Sequence, residues 1–231
     1  MIYVMSDLHG CYDKYIEMLE KIKFSSEDKL YILGDVVDRG NGSMKILLDM
    51  MRRPNVYPIM GNHDYMALNV LSKLNMEITE DNAASFDQKT IKLMSAWLAD
   101  GGGETEKEFA SLHHMQREMI LEYMAEFSLY GEVKVNGREY ILVHGGLGNF
   151  SPDKPLSDYE LEELIYERPD YDKPYFEDKI VITGHTPTIN IDMACKGRIF
   201  KENNHIAIDC GAVYNLGLGC ICLDTMEEFY V

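Results

Sequence analysis

Residues 29–40 read KLYILGDVVDRG, and their pattern recurs along the chain. The apolar run 29–33 is short and rich in β-branched and aromatic residues, which is typical of a buried strand. Gly34 and Asp35 follow this run directly, and the glycine allows a tight turn after the strand. The stretch therefore predicts a buried strand whose carboxyl end carries an acidic side chain.

Four more apolar runs end in the same way. They cover residues 2–5, 56–60, 140–143 and 179–183, and they lead into SDLHG (6–10), GNHD (61–64), HGG (144–146) and GHTP (184–187). A lone Asp, Asn or His after a strand is usually a turn or structural residue. Five such ends together make coincidence a poor explanation, because ligands bind beyond the carboxyl ends of strands in open α/β sheets. We expect polar side chains from five strands to meet at one site.

The spacing of the elements predicts an α/β fold, a mixed β-sandwich flanked by helices. Helical patterns at 12–23 and 43–51, the second with Ser43 as N-cap, separate the first three strands, so the sheet begins parallel. Asn136-Gly137 predicts a two-residue hairpin turn, and two further hairpins are expected near 198–209 and 219–231. The sheet should therefore become mixed and form two layers.

We expect one domain over residues 1–231, with a helical segment at about 78–130. In that segment, apolar residues recur at spacings of three and four, which is typical of an amphipathic helix. They are Leu112, Met115, Met119, Tyr123 and Phe127. Core packing is the preferred interpretation of this stripe, with a methionine-rich binding groove as the alternative.

Composition narrows the classes of function. A formal net charge of −17 argues against a nucleic-acid binder, which needs a basic face. No apolar run approaches the length of a membrane span, and the N-terminus does not resemble a signal peptide. Five cysteines without a CxxC pair fit a reducing compartment. We expect a cytoplasmic protein that binds neither nucleic acid nor membrane.

The polar residues at the strand ends have the chemistry of metal ligands. The candidate ligands are Asp7, His9, Asp35, Asn62, His144 and His185. Oxygen and imidazole ligands without thiolate suit manganese first, with iron or zinc as alternatives. Six ligands are few for one ion but suit two open sites that share a carboxylate, and Asp35 is the candidate bridge. Bound cations would also reverse the acidic field locally for an anionic substrate.

Two such ions would support hydrolysis of a phosphate ester, with a metal-bridging hydroxide attacking phosphorus in line. His63 stands next to a candidate ligand but remains free, which fits a general acid for the leaving group. Asp38 is the candidate to orient His63. Arg39 offers a planar fork for phosphate oxygens, and Asn62 is a further candidate for phosphate contact.

These motifs, in this order, resemble the signature blocks of the metallophosphoesterase superfamily. GDVVDRG resembles the PPP-type serine/threonine phosphatases, above all the small bacterial and phage enzymes, and symmetrical diadenosine tetraphosphate hydrolases share the blocks. The resemblance implies a calcineurin-like domain with Asp7, His9 and Asp35 on one ion, and Asp35, Asn62, His144 and His185 on the other. It also implies the pairing of His63 with Asp38 and phosphate contact by Arg39.

The resemblance adds one residue and has two departures. Arg168 resembles a second phosphate-binding arginine, although Tyr166 stands where small bacterial relatives have Trp, and a solvated surface charge is the alternative. GNHD replaces the commoner GNHE, and Asp64 should still support the preceding turn. The chain lacks the longer segment that eukaryotic relatives have after the last histidine motif, so we expect no regulatory subunits of their kind.

Three functions remain open from the sequence. The first is hydrolysis of phosphomonoesters, with phosphoserine and phosphothreonine in proteins as the expected substrates. The second is symmetrical hydrolysis of dinucleoside polyphosphates, which requires a shelf for adenine. Candidate shelf residues are Phe86, Trp97, Phe109 and Tyr123. The third is phosphate binding without catalysis, which is disfavoured because no ligand type is missing.

Overall fold

The computed structural model describes residues 1–76 and 88–231 of the chain. The strands of this part are β1 (Ile2–Met5), β2 (Lys29–Ile32), β3 (Val56–Pro58), β4 (Tyr130–Val135), β5 (Arg138–Val143), β6 (Lys179–Thr183), β7 (Phe200–Glu202), β8 (His205–Ala207), β9 (Gly219–Cys222) and β10 (Glu228–Tyr230). The helices are α1 (Tyr12–Lys21), α2 (Ser43–Met50), α3 (Asn62–Leu74), α4 (Gln88–Trp97), α5 (Gly103–Ala110), α6 (His114–Ala125) and α7 (Leu161–Ile165). The five predicted apolar runs correspond to β1, β2, β3, β5 and β6.

The described strands form two mixed sheets. The first has the order β10-β9-β1-β2-β3, and the second has the order β4-β5-β6-β8-β7. Strands β1, β2 and β3 are parallel, as the alternation of strands and helices predicted. Strands β5, β6 and β8 are parallel in the second sheet. Antiparallel strands complete both sheets.

Alternating side chains on each strand build two cores. Val4 packs in a cluster with Leu142 and Ile182 of the second sheet. Its neighbours Tyr3 and Met5 lie in the cluster that also contains the buried faces of the helices. Because successive strand residues point to opposite faces, one face of the first sheet meets the other sheet and the opposite face is covered by helices. The predicted mixed sandwich flanked by helices is confirmed.

The predicted hairpins are also present. Asn136 and Gly137 have φ values of 51° and 82°, as a two-residue hairpin turn requires. This turn joins β4 to β5, with Val135 opposite Arg138. The other two predicted hairpins are the antiparallel pairs β7 with β8 and β9 with β10.

Two local predictions were wrong. Gly42, not Ser43, is the N-cap of α2, and the Ser43 hydroxyl instead accepts a hydrogen bond from the Asp38 N–H at 3.2 Å. In α6, Met115 and Met119 are 72% and 47% exposed. Leu112, Tyr123 and Phe127 of the predicted stripe do pack in the core, where Ile120 and Met124 join them, so the prediction is wrong for the two methionines only.

The predicted helical segment is largely helical where the structure describes it, from α4 to α6. Residues 78–87 of that prediction, including Phe86, lie outside the described residues. Among the described helices, none combines the length and the apolar character needed to cross a membrane.

Candidate metal centre and active site

The loops after β1, β2, β3, β5 and β6 meet at one edge of the sandwich. Backbone hydrogen bonds join them: Asp7 N–H donates to the Gly34 carbonyl at 3.1 Å, and Gly184 N–H donates to the His144 carbonyl at 2.8 Å. The sequence-predicted residues of these loops lie at this edge, and all but His185 and Arg39 are buried. The buried ones are Asp7, His9, Asp35, Asp38, Asn62, His63 and His144.

The backbone at this edge is strained. Six candidate residues have left-handed φ values, namely Asp7 (52°), His9 (41°), Asp35 (50°), Asp38 (75°), Arg39 (69°) and His185 (62°). Residues other than glycine rarely adopt this conformation. Strain of this kind costs on the order of 1 kcal/mol per residue and persists where the surrounding structure enforces it, often at functional sites. The clustering of left-handed residues is therefore independent evidence that these loops form a functional site.

Two groups of ligand atoms lie close enough together to hold a metal ion. One consists of His9, Asp35 and His63, and the other of Asp35, His144 and His185; within each group the atoms lie within 4.8 Å of one another. Asp35 belongs to both groups, which is the arrangement that a bridging carboxylate requires.

The histidines present free lone pairs to Asp35. His9 Nδ1 is 2.9 Å from the Val37 carbonyl, and His144 Nδ1 is 2.6 Å from the Leu33 carbonyl. A carbonyl only accepts, so Nδ1 carries the proton in each ring and Nε2 is unprotonated. Burial lowers the pKa of His9 to about 4 and also lowers the pKa of His144. Both rings are therefore neutral near neutral pH.

Two histidine nitrogens and the Asn62 oxygen lie close to the Asp35 carboxylate. His144 Nε2 is 3.3 Å from Asp35 Oδ1 and 3.0 Å from Asn62 Oδ1. His9 Nε2 is 3.6 Å from Asp35 Oδ2. Acceptors that face one another repel, and a cation with nitrogen and oxygen ligands removes that repulsion. The residues present thus fit divalent transition-metal ions.

Asp7 lies at the same edge but outside the two groups. Its carboxylate accepts hydrogen bonds from the Ser6 hydroxyl and from the His185 N–H, the latter at 3.1 Å. Burial, and then the carboxylates of Asp209 and Asp35, raise the pKa of Asp7 well above its usual value. In the group of His9 and Asp35, the third ligand atom comes from His63, whereas the sequence predicted Asp7 there.

Asp64 joins two of the loops. Its carboxylate accepts hydrogen bonds from the N–H groups of Gly61 at 3.0 Å, Val36 at 3.0 Å and Val37 at 3.3 Å. The carboxylate therefore supports the turn before it, as expected for GNHD. Burial, and then the charge of Asp35, raise the pKa of Asp64 to about 7.

The predicted pair of His63 and Asp38 is in hydrogen-bond contact. His63 Nδ1 is 2.8 Å from Asp38 Oδ2, and both residues are buried. Burial would lower the pKa of His63, but the hydrogen bond to Asp38 and the charge of Asp35 outweigh it, so this pKa is raised. The ring is thus held in place, and a raised pKa is what a general acid requires.

The two arginines lie on different sides of the histidines. Arg39 Nη1 is 2.7 Å from His9 Nε2, and Arg39 Nη2 is 2.8 Å from His63 Nε2. Arg168 Nη1 donates to Thr186 Oγ1 at 2.8 Å, beside His185. Both guanidinium groups therefore lie next to histidine residues of the site.

Three contacts with the Asp38–Arg39 turn were not predicted from the sequence, which had proposed Trp97 only as part of an adenine shelf. Trp97 Nε1–H donates to Asp38 Oδ2 at 2.8 Å, and Thr105 Oγ1 accepts from Asp38 N–H at 2.9 Å. Asp100 Oδ1 accepts from Arg39 Nη2 at 3.1 Å. All three belong to the helical segment, which follows no strand, so the pattern of strand ends gave no signal for them.

The predicted adenine shelf is wrong for two of its residues. Trp97 is fully buried and Phe109 is 3% exposed, so neither offers a free face. The exposed aromatic residues near the site are others. Tyr214 is 54% exposed with the Arg39 guanidinium 5.9 Å from its ring centre, and Tyr166 is 43% exposed.

Comparison with known proteins gives this arrangement a family. The profile of the calcineurin-like phosphoesterases matches residues 1–208. The chain belongs to this family. Calcineurin-like phosphoesterases are hydrolases of phosphate esters.

Curated relatives match only part of the chain. The symmetrical bis(5'-nucleosyl)-tetraphosphatase of Wigglesworthia glossinidia brevipalpis is 31% identical over 99 residues, which are 42% of this chain and 36% of the relative. The enzyme of the same name from Salmonella typhimurium is 36% identical over 81 residues, 34% of this chain and 29% of the relative. The match thus spans about a third of the length of these relatives.

Solved structures share the calcineurin-like phosphoesterase fold over nearly the whole chain. A protein provisionally assigned as a diadenosine tetraphosphatase has a TM-score of 0.67 at 17% identity, and covers 100% of this chain and 92% of its own. A protein serine/threonine phosphatase of Saccharomyces cerevisiae, similar to human phosphatase PP5, has a TM-score of 0.59 at 16% identity, with 100% and 79% covered. A cold-active protein tyrosine phosphatase has a TM-score of 0.54 at 15% identity, with 99% and 78% covered. At these identities the likeness concerns the fold.

Proposed function

We propose that the chain hydrolyses phosphomonoesters with two divalent metal ions, of which Mn²⁺ is the first choice and iron or zinc the alternatives. The observation that carries the proposal is the convergence of lone pairs from neutral histidines on the Asp35 carboxylate. His9 Nε2 lies near one oxygen of this carboxylate, Oδ2, and His144 Nε2 near the other, Oδ1. Arg39 lies 2.7 Å from His9 Nε2, but His144 Nε2 faces the oxygens of Asn62 and Asp35, which would repel its lone pair without a cation.

The ligands divide into two sets that share Asp35. Asp7 and His9 would hold one ion with it, and Asn62, His144 and His185 would hold the other. Burial lowers the pKa of His185 to about 3, so this ring is also neutral and its lone pair is available. Bound divalent ions would supply an activated water and positive charge for the phosphoryl oxygens.

The remaining side chains bind the substrate and transfer a proton. Arg39 and Arg168 contact the phosphate oxygens, with Asn62 as a further donor. His63 gives the proton at Nε2 to the leaving oxygen, while its Nδ1 stays hydrogen-bonded to Asp38. Arg39 now donates towards His63 Nε2 and must move onto the phosphate for that transfer.

Phosphoserine and phosphothreonine side chains of proteins are the first substrates to test, as in the PPP-type branch of the family. The support is the exposure of the groups around the site. Tyr214 and Tyr166 are exposed, and the side chain of Asp100 is 53% exposed. A phosphorylated side chain on a protein surface can therefore approach the histidines directly.

Symmetrical hydrolysis of dinucleoside tetraphosphates is the second candidate. It is favoured by the similarity to the tetraphosphatases of Wigglesworthia and Salmonella. Tyr214 would then replace the buried residues as the shelf for a base, because its ring is exposed beside Arg39.

A substrate panel tests both candidates. The metal-reconstituted enzyme is compared on phosphopeptides and diadenosine tetraphosphate by kcat/KM. We expect the higher kcat/KM for phosphopeptides, and a clear preference for the dinucleotide would overturn that order. If a base stacks on Tyr214, Tyr214→Ala lowers kcat/KM for the dinucleotide about tenfold and Tyr214→Phe does not. No turnover even of 4-nitrophenyl phosphate with Mn²⁺ would contradict catalysis altogether.

The proposal also covers the cellular compartment and the binding partners of the protein. All five cysteines are free, which supports residence in the reducing cytoplasm. The acidic charge of −17 supports the absence of nucleic-acid partners. We expect activity without regulatory subunits of the eukaryotic type.

A further inference from the structure

The single tryptophan of the chain reaches into the site from the helical segment. Trp97 ends α4, is fully buried, and donates from Nε1 to Asp38 Oδ2 at 2.8 Å. The same oxygen accepts the hydrogen bond from His63 Nδ1 at 2.8 Å. One carboxylate oxygen thus holds both rings.

The other oxygen of this carboxylate gives no support. Asp38 Oδ1 is buried and has no hydrogen-bond partner among the described residues. The orientation of the carboxylate therefore depends on the two donors that share Oδ2. Without the indole N–H, only His63 would hold it, and the carboxylate and imidazole would be free to turn together.

The surroundings fix the indole itself. A Cβ on Gly102 would lie 2.3 Å from the Trp97 ring, so the glycine backbone packs directly against it. The same segment holds the backbone on both sides of the Asp38 carboxylate. Thr105 accepts from Asp38 N–H at 2.9 Å, and the Gly101 carbonyl accepts from Arg39 N–H at 2.9 Å.

We propose that Trp97 is a positioning residue for His63. Its indole N–H fixes the Asp38 carboxylate, which in turn directs His63 Nε2 towards the leaving oxygen of the substrate. The inference rests on the proposed function, because it assumes His63 as the proton donor. The helical segment would then contribute to catalysis as well as to packing.

The first test uses the metal-free protein and requires no activity. Histidine labelled with ¹⁵N gives the exchange rate of the His63 Nδ1 proton with water. Trp97→Phe removes the indole N–H and should speed this exchange about tenfold, since the hydrogen-bonded pair opens more often. Phe109→Leu, which alters a buried ring of the same segment outside the site, should leave the rate unchanged.

The second test compares leaving groups. A general acid matters most for a poor leaving group, so phenyl phosphate is compared with 4-nitrophenyl phosphate. In Trp97→Phe we expect kcat to fall about tenfold on phenyl phosphate and less than about twofold on 4-nitrophenyl phosphate. These losses are smaller than those expected when the general acid itself is removed. His63→Ala should show the same selectivity more strongly, and Phe109→Leu should show none.

A second variant controls for misfolding of Trp97→Phe. Because Trp97 is the only tryptophan, biosynthetic replacement by benzothienylalanine changes this position alone, keeping the ring shape but replacing N–H by sulfur. It should reproduce both effects of Trp97→Phe.

The outcomes separate the two proposals. Unchanged proton exchange with the benzothienyl residue, or no leaving-group selectivity while His63→Ala shows it, overturns the role of Trp97 alone. A wild-type enzyme that cleaves neither ester with Mn²⁺ overturns the proposed function, and the exchange measurement then decides whether Trp97 holds His63.

Discussion

The side chains of the site are chemically unusual for a protein interior. Asp7, Asp35, Asp38, Asp64 and Asp209 are all buried within this part of the molecule. Burying charge is costly unless it is paired. Arg39 forms its salt bridge with Asp100 instead, and Arg168 donates to Thr186. Bound cations would stabilise the ionised form of these buried carboxyl groups.

His144 offers a direct test at the residue scale, with His205 as its matched control. His205 is also buried, but its Nε2 contacts the Lys173 carbonyl away from the site. His144→Ala should lower activity at least about a hundredfold, because it removes a ligand, and even residues behind the ligands cost 10–100-fold. The measurements are kcat/KM and metal content by mass spectrometry.

His205→Ala should reduce stability while both ions remain bound. If His144→Ala kept its full metal content and activity, the proposed ligand set would be wrong.

The strained backbone gives a second prediction at this scale. Arg39→Gly and Arg39→Ala both remove the guanidinium group, so both should lose activity. The φ of 69° costs alanine but not glycine, so Arg39→Gly should be more stable than Arg39→Ala by about 1 kcal/mol. Urea denaturation measures the difference, and equal stabilities would contradict the strain argument.

Sequence reasoning found the residues at strand ends because one pattern recurs five times. The pattern could not show the contacts that Trp97, Asp100 and Thr105 make with Asp38 and Arg39, because these contacts depend on how the helical segment packs. Periodicity within a helix does not show which distant turn its end will touch.

At the scale of elements, the turns after the strands place the ligands. A Cβ on Gly61 would lie 2.3 Å from Asp35 Oδ1, whereas one on Gly137 would have nothing within 4 Å. Gly61 therefore allows the turn after β3 to approach the shared carboxylate, and Gly137 serves only its own hairpin.

These two glycines form a matched pair. Gly61→Ala should displace Asp35 and reduce activity at least about tenfold, since small misplacements of catalytic groups are costly. Gly137→Ala should cost about 1 kcal/mol in stability through its φ of 82° and leave kcat unchanged. Activity assays and thermal unfolding of both variants provide the comparison, and a fully active Gly61→Ala would contradict the close approach.

The elements themselves were predictable where a local signal was strong. The Asn136-Gly137 turn requires φ values that these residues adopt readily. The buried face of α6 was predicted wrongly for Met115 and Met119, because apolar residues occur on several faces of this helix and only packing selects Ile120 and Met124. Ser43 was assigned as a cap from its type, although its hydroxyl serves Asp38 instead.

For the whole molecule, the site depends on both sheets. Asp35 follows β2 of the first sheet, whereas His144 and His185 follow β5 and β6 of the second. We propose that residues 1–231 form one domain, because neither sheet alone carries the complete site.

The buried carboxylates predict how metal binding depends on pH. Burial raises the pKa of Asp64 and of Asp209 to about 7, so each carboxyl group is partly protonated near neutral pH. Bound cations would displace these protons. His9 and His185, with pKa values of about 4 and 3, do not compete in this range. Mn²⁺ affinity should therefore rise from about pH 6 to about pH 8.

Calorimetric titration in two buffers with different ionisation enthalpies measures this effect. We expect proton release on metal binding at the lower pH and less at the higher pH. Binding without proton release at either pH would mean that the carboxyl groups are already ionised.

Anomalous diffraction from crystals grown with Mn²⁺ tests the ligand set most directly. We predict two peaks in each chain, one beside His9 and one beside His144, both in contact with the Asp35 carboxylate and about 3.5–4 Å apart. A single peak, or peaks that do not touch Asp35, would contradict the shared-carboxylate metal centre.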